Sequence, residues 1–198
     1  MKILMVMAHP DDEVIFGWPI FQKADAKKTL LMCSSDLNNP ERQWCSHRKF
    51  VLEEVCEINH TKLTCLDNPS EFYRSSTRDG KLSQVQDEIV ENMLSEDYDY
   101  VFTHNPLGEY GHLDHKFVFE TVLHNSRFPI LFTDICMQSN WPSVSSIPNR
   151  IKNIYYNQHV SSCVLDKALY ANYQEKYEKA GVWTWSEPEV DKCNLYLL

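Results

Sequence analysis

The stretch ILMVMAHPDDEVIFG, residues 3–17, decides how the chain folds. It opens with an apolar run of strand length and then places one histidine and three carboxylates within the five positions His9 to Glu13. A buried strand that stops abruptly in charge, with a new apolar segment starting at Val14, reads as the first strand-to-helix turn of an α/β sheet. Further apolar runs at Thr29–Cys33, Leu63–Leu66, Tyr100–Thr103 and Ile130–Asp134 alternate with helix-like stretches at Glu13–Lys27, Glu41–Ile58, Lys81–Glu96 and His112–Asn125. The alternation predicts a parallel α/β sheet, and in such sheets the functional crevice lies beyond the carboxyl ends of the strands. His9, Asp11 and Asp12 fall just past the first strand, Ser34, Ser35 and Asp36 past the second, and His104 past the fourth, so polar groups gather on one rim. Residues 67–80 and 138–150 read as loops, with Asp79-Gly80 a turn. Beyond them come a strand at Asn153–Tyr156, a polar helix at Leu165–Lys179 and a tail carrying Trp183 and Trp185. No repeat or linker interrupts the pattern, so residues 1–198 are expected to form one domain.

Bulk properties narrow the function. Of 198 residues, 43% are hydrophobic, enough to bury a core without disulfides. Acidic residues outnumber basic ones 28 to 19, which disfavours a nucleic-acid surface, because phosphate binding needs a Lys/Arg face. No apolar run approaches the roughly 18 to 20 residues of a membrane span, and Met1-Lys2 leads straight into a strand, unlike an export signal. A cytoplasmic location is expected. The seven cysteines include no C-x-x-C pair and read as reduced thiols.

Adjacent carboxylates at Asp11, Asp12 and Glu13 repel one another unless a proton or cation compensates. A metal ion resolves the conflict: His9 and Asp12, three apart in a turn, can converge on one ion, and a second cluster, GEYGHLDH at 108–115, supplies His112 and His115. One histidine of that pair with His9 and Asp12 makes two imidazoles and a carboxylate, which leaves positions open for water and substrate. The plainer reading, acidic residues compensating a helix dipole for about 0.3–1 kcal/mol, accounts for Asp12 and Glu13 but leaves His9 idle. The same ligand types also form the facial triad of Fe(II) oxygenases, usually on a different scaffold. A sugar- or nucleotide-binding module without turnover is the non-enzyme alternative, although no G-x-G-x-x-G follows the first strand.

AHPDDE at 8–13 together with GEYGHLDH at 108–115 closely resembles the PIG-L/LmbE-like family of metal-dependent N-deacetylases. The second motif departs from the family's usual G-H-P-D-H by Leu113 in place of proline, a change in loop stiffness that removes no ligand. The resemblance implies a Rossmann-like three-layer α/β fold with a mostly parallel sheet and an active site at the C-terminal ends of its strands. It further implies His9, Asp12 and His115 as metal ligands, Asp11 as general base, His112 as an imidazolium and Tyr110 as donors to the developing oxyanion, and Asp114 as the carboxylate holding His112 protonated. Arg48 and Asp79 match substrate-binding positions loosely. Zn2+ is the implied cofactor, with Fe2+ or another divalent metal as the alternative. The implied reaction removes acetyl from an N-acetylated amino sugar of the N-acetylglucosamine type, a small-molecule partner; self-association into a homo-oligomer is left open. Phe16, Trp18, Tyr73, Trp141, Trp183 and Trp185 are further aromatics suited to packing or to stacking on a sugar face.

Overall fold

A computed structural model describes residues 1–35, 46–136, 158–186 and 190–198. Its framework is one seven-stranded sheet in the order β3-β2-β1-β4-β5-β7-β6. The strands are β1 (Lys2–Met7), β2 (Lys27–Ser34), β3 (Lys62–Asn68), β4 (Tyr100–Thr103), β5 (Ile130–Thr133), β6 (His159–Val164) and β7 (Lys192–Leu197). The first five run parallel; β7 pairs antiparallel with β5, and β6 antiparallel with β7. The helices are α1 (Asp12–Ile15), α2 (Trp18–Phe21), α3 (Ser46–Ile58), α4 (Phe72–Arg78), α5 (Leu82–Leu94), α6 (Leu113–Asn125) and α7 (Lys167–Lys179).

The period-two alternation of β1 builds the layers. Ile3, Met5 and Met7 join the core shared with Phe21, Leu52, Val55 and Tyr177. Leu4, Val6 and Ala8 face the other core, with Phe72, Ile89, Met93, Val118 and Val122. Helices therefore cover both faces, as expected for a three-layer sandwich. Strand β1 sits between β2 and β4, where the chain's winding direction reverses, and the crevice opens at such a switch point.

The five parallel strands fall where the apolar runs place them, with every end within two residues. Three expectations change. The helix expected over Glu13–Lys27 is two single turns, α1 and α2, broken at Gly17, where a Cβ would lie 2.7 Å from Met5 Cε and 2.8 Å from the Glu13 carbonyl oxygen. The loop expected over 67–80 contains α4: Phe72 is fully buried, and its burial overrides the weak helix preference of the segment's polar residues. Strands β6 and β7 have no counterpart in the sequence reading. The expected strand at Asn153–Tyr156, the loop at 138–150, Asp36 and Trp141 lie outside the described residues.

Candidate functional site

The turn after β1 is shaped by its own polar groups. Asp11 adopts a left-handed backbone (φ 99°), a conformation that non-glycine residues enter at a cost of about 1–2 kcal/mol. Its N–H donates to Glu13 Oε2 at 3.0 Å, and the Pro10 carbonyl accepts from the Arg48 guanidinium. Tyr177 on α7 donates its hydroxyl to Glu13 Oε1 at 2.6 Å. Burial raises the Glu13 carboxyl to about 8 despite that bond. Glu13 is thus a support for the turn, and it presents Asp11 to the cleft.

The second cluster is organised by a residue the sequence reading passed over. Glu109, with φ 53°, accepts the Asn105 N–H on Oε1 at 2.9 Å. Its Oε2 receives His115 Nδ1 at 2.7 Å and His104 Nδ1 at 3.0 Å. Gly108 makes this loop feasible: at φ +62° a Cβ would stand 2.6 Å from the His112 carbonyl oxygen. The signal in the sequence was the acid embedded in GEYGHLDH, but only the fold reveals that it serves two histidines at once.

The two clusters meet in a triangle of donor atoms. His9 Nδ1 lies 3.2 Å from His115 Nε2, and each is 3.3 Å from Asp12 Oδ2. Both rings turn their other nitrogen to a carboxylate: His9 Nε2 meets Asp114 Oδ2 at 2.8 Å, and His115 Nδ1 meets Glu109. With those nitrogens donating, the inward ones direct lone pairs at each other and at a carboxylate oxygen, an arrangement only a proton or a cation relieves. The spacing suits an ion, since tetrahedral donors at bonds of about 2.0–2.2 Å lie roughly 3.3–3.6 Å apart. Burial opposes charge on His115, but Asp12 and Glu109 outweigh it and raise the ring to about 10.

Two groups of potential ligands occur among the described residues, His9 with His112 and His115, and Asp12 with His104 and His115. His104 stacks on His115 at 3.9 Å, yet its Nε2 accepts the Ala8 N–H at 2.9 Å while Nδ1 faces Glu109. Both its nitrogens are committed to the protein. Burial and His115 lower its pKa, which keeps it neutral. His104 therefore braces the end of β1 against the end of β4.

Asp11 stands beside the triangle without entering it. Its Oδ1 receives Arg48 at 2.5 Å and its Oδ2 receives the Thr184 hydroxyl at 2.7 Å. Burial raises the carboxyl to about 6, with Arg48 restraining the rise. A cavity of about 190 Å³ opens over these groups, with His9, Asp11, Asp12, Arg48, Tyr110 and His112 in its wall. Trp185 closes one side, 5.1 Å from the Phe16 ring and 5.6 Å from Tyr110.

Three expected roles are revised. Asp114 faces His9 and accepts the Tyr73 N–H at 2.9 Å on its other oxygen, so it orients His9 rather than His112. His112 is the N-cap of α6, and its Nδ1 accepts the Asp114 N–H at 3.2 Å. Burial, with His115 and His9 nearby, lowers it to about 3, so it is neutral rather than an imidazolium. Asp79 caps the C-terminus of α4, half-exposed and bonded to Arg78 at 3.2 Å, and is absent from the cavity wall, where Ser70 and Glu71 of the same segment stand. Winding residues 72–78 into a helix is what separates Asp79 from the cleft. Trp185, one of the aromatics suited to packing or sugar stacking, stands in the cavity wall, and Thr184 beside it is an addition that no sequence signal marked.

The family model described as GlcNAc-PI de-N-acetylase (PIG-L) matches residues 4–125. An uncharacterized protein of Acanthamoeba polyphaga mimivirus is 26% identical over 182 residues, spanning 86% of this chain and 75% of the relative. Among solved structures, a deacetylase of the teicoplanin biosynthesis pathway has a TM-score of 0.64 at 14% identity, covering 92% of this chain and 84% of its own. A deacetylase triple mutant of that pathway has a TM-score of 0.63 at 13% identity and covers 100% and 98%. At such identities these structures show a shared fold.

Proposed function

The chain belongs to the PIG-L (GlcNAc-PI de-N-acetylase) family, and on that premise we propose that it is a metal-dependent hydrolase removing acetyl from an N-acetylated amino sugar of the N-acetylglucosamine type. The observation that carries the proposal is the triangle of His9 Nδ1, Asp12 Oδ2 and His115 Nε2 with a separate carboxylate, Asp11, alongside. Those three residues would hold a divalent ion, with zinc the metal of this reading. A bound ion supplies Lewis-acid polarisation of the amide carbonyl and acidifies water.

The remaining chemistry belongs to the chain. Asp11 takes the proton of the attacking water; at about 6 its carboxyl is ionised at neutral pH yet basic enough to accept a proton. His112, with Nδ1 occupied by the Asp114 N–H, carries its proton on Nε2 and donates it as a hydrogen bond to the carbonyl oxygen as charge builds there. Tyr110, in the same wall and held as a neutral phenol by burial, is the second donor. The amide C–N bond breaks as the departing nitrogen takes up the proton that Asp11 accepted, leaving acetate and a free amine. Arg48 acts by gripping Asp11, and the Phe16, Tyr110 and Trp185 rings offer an apolar face to a sugar ring.

The test is acetate release from a panel of N-acetylglucosamine derivatives by zinc-reconstituted protein, with and without a chelator. Asp11→Asn is expected to keep the ion while kcat falls about 10²- to 10⁴-fold. Reconstituted wild type that takes up no ion, or that releases no acetate from any derivative, overturns the proposal. Asp11→Asn losing the ion along with turnover moves Asp11 into the ligand set.

A further inference from the structure

The family match ends at residue 125, yet the carboxylate proposed as the base is held from far beyond it. Thr184 Oγ1 donates to Asp11 Oδ2 at 2.7 Å, across 173 positions of sequence. Its neighbours fix where that hydroxyl can be. Val182 is buried and donates its N–H to the Tyr177 carbonyl at 3.0 Å. Trp183 packs edge-on against Tyr170 at 6.3 Å and tilted against Tyr177 at 6.0 Å. On the other side Trp185 packs edge-on against Phe16 at 5.1 Å. Thr184 is therefore pinned between two aromatic anchors, and its hydroxyl is set by the strap that they hold.

The same C-terminal unit reaches Asp11 by a second route. Tyr177 on α7 donates to Glu13 Oε1 at 2.6 Å, and Glu13 Oε2 accepts the Asp11 N–H at 3.0 Å. One route grips the carboxylate and the other the left-handed backbone that carries it. Arg48 already occupies Oδ1, so without Thr184 the carboxylate keeps one charged partner and can swing about its Cα–Cβ and Cβ–Cγ bonds. General-base catalysis depends on the accepting oxygen being within hydrogen-bond reach of the water in the right direction, and small misplacements are costly.

We propose that the strap 182–185 is a positioning device for the base, with Thr184 the positioning residue that sets the orientation of the Asp11 carboxylate. The proposal rests on the reading of Asp11 as general base. It assigns the C-terminal segment, outside the matched family region, a defined task in the reaction.

Thr184→Val removes the hydroxyl at nearly constant shape, and Thr184→Ser keeps it. In the zinc-reconstituted protein, Thr184→Val is expected to lower kcat about 10- to 100-fold, the range for a lost hydrogen bond to a charged group, with KM and zinc affinity within twofold of wild type. Thr184→Ser is expected to restore most of kcat. Crystal structures of wild type and Thr184→Val supply a readout independent of turnover: the valine variant should show the Asp11 carboxylate rotated or split between conformers. An unmoved Asp11 in a single conformer overturns the proposal, as does a kcat within twofold of wild type or a loss of zinc binding, which would put the effect on the ion site. If wild type releases no acetate but the Asp11 carboxylate moves in the variant, the assigned reaction fails while the positioning role stands.

Discussion

The parallel and antiparallel parts of the sheet meet at one cleft and serve it by different physics. From the parallel side come His9 and Asp12 after β1, Glu109 after β4, and His115 on the first turn of α6, all nearly inaccessible to solvent. Charge is concentrated there, each imidazole is backed by a carboxylate, and the whole is in balance only with a cation or proton at its centre. From the antiparallel side come α7 and the strap at 182–185, which bring neutral hydroxyls, Tyr177 and Thr184, to Glu13 and Asp11. On the proposed reading the first region would hold the ion and the second would aim the base. The charged groups come from strand ends and from the loop that Glu109 ties together, whereas the neutral hydroxyls come from aromatic-anchored segments far along the chain from their partners.

That division can be broken most severely on the parallel side. His115→Gln is expected to reduce zinc uptake from one ion per chain to none at micromolar zinc, measured by equilibrium dialysis. Retention of a full equivalent would transfer the ligand role to His112, which lies in the alternative donor group. A milder change sharpens the boundary between ligand and support. Asp114→Asn leaves all three donor atoms in place but loosens the grip on His9 Nε2, and zinc affinity should fall about 10- to 100-fold, as read by competition with a chelating dye. An unchanged affinity would return Asp114 to a role at His112.

The smallest effect concerns Glu13, where the two regions touch. Burial raises its carboxyl to about 8 from 4.5, so between those values the unfolded chain is ionised at this position while the folded chain still holds its proton. Stability from this group is complete below about pH 4.5 and lost as pH rises through about 8. Urea midpoints of chelator-treated protein should therefore fall more between about pH 5 and about pH 8 in wild type than in Glu13→Gln, by a few kcal/mol at most. Parallel profiles for the two proteins would show that Glu13 stays ionised in the fold.

Legibility followed the same division. Strands β1, β2, β4 and β5 announce themselves because parallel strands are buried on both faces and so appear as continuous apolar runs, while β3, at the sheet edge and only partly buried, shows a shorter one. Strand β6 lies at the sheet edge and is largely exposed, and β7 mixes Lys192 and Asn194 with its apolar residues, so neither produces such a run. The site divided likewise. His9, Asp11, Asp12, His112 and His115 sit in compact motifs whose spacing carries chemical meaning. Thr184 sits in a tail whose partner is 173 residues away, and nothing local to it signals a carboxylate.

Charge identity shows the limit most clearly. That Asp11, Asp12 and Glu13 could not all be ordinary solvated acids was evident from their adjacency alone. Which of them faces two imidazoles, which a guanidinium and a hydroxyl, and which is buried under Tyr177 depends on the left-handed turn at Asp11 and on what packs around it. Sequence by itself determined the parallel frame, the rim on which the polar groups gather and the pairing of two distant motifs, because burial period and ligand spacing are local properties. Tertiary structure alone decided that Asp114 serves His9, that His112 is neutral, that His104 is committed to the Ala8 N–H and Glu109, and that the C-terminal strap bonds Asp11. Hydrogen-bond partners and burial are properties of the packed chain, and they determine the charge and orientation each side chain keeps.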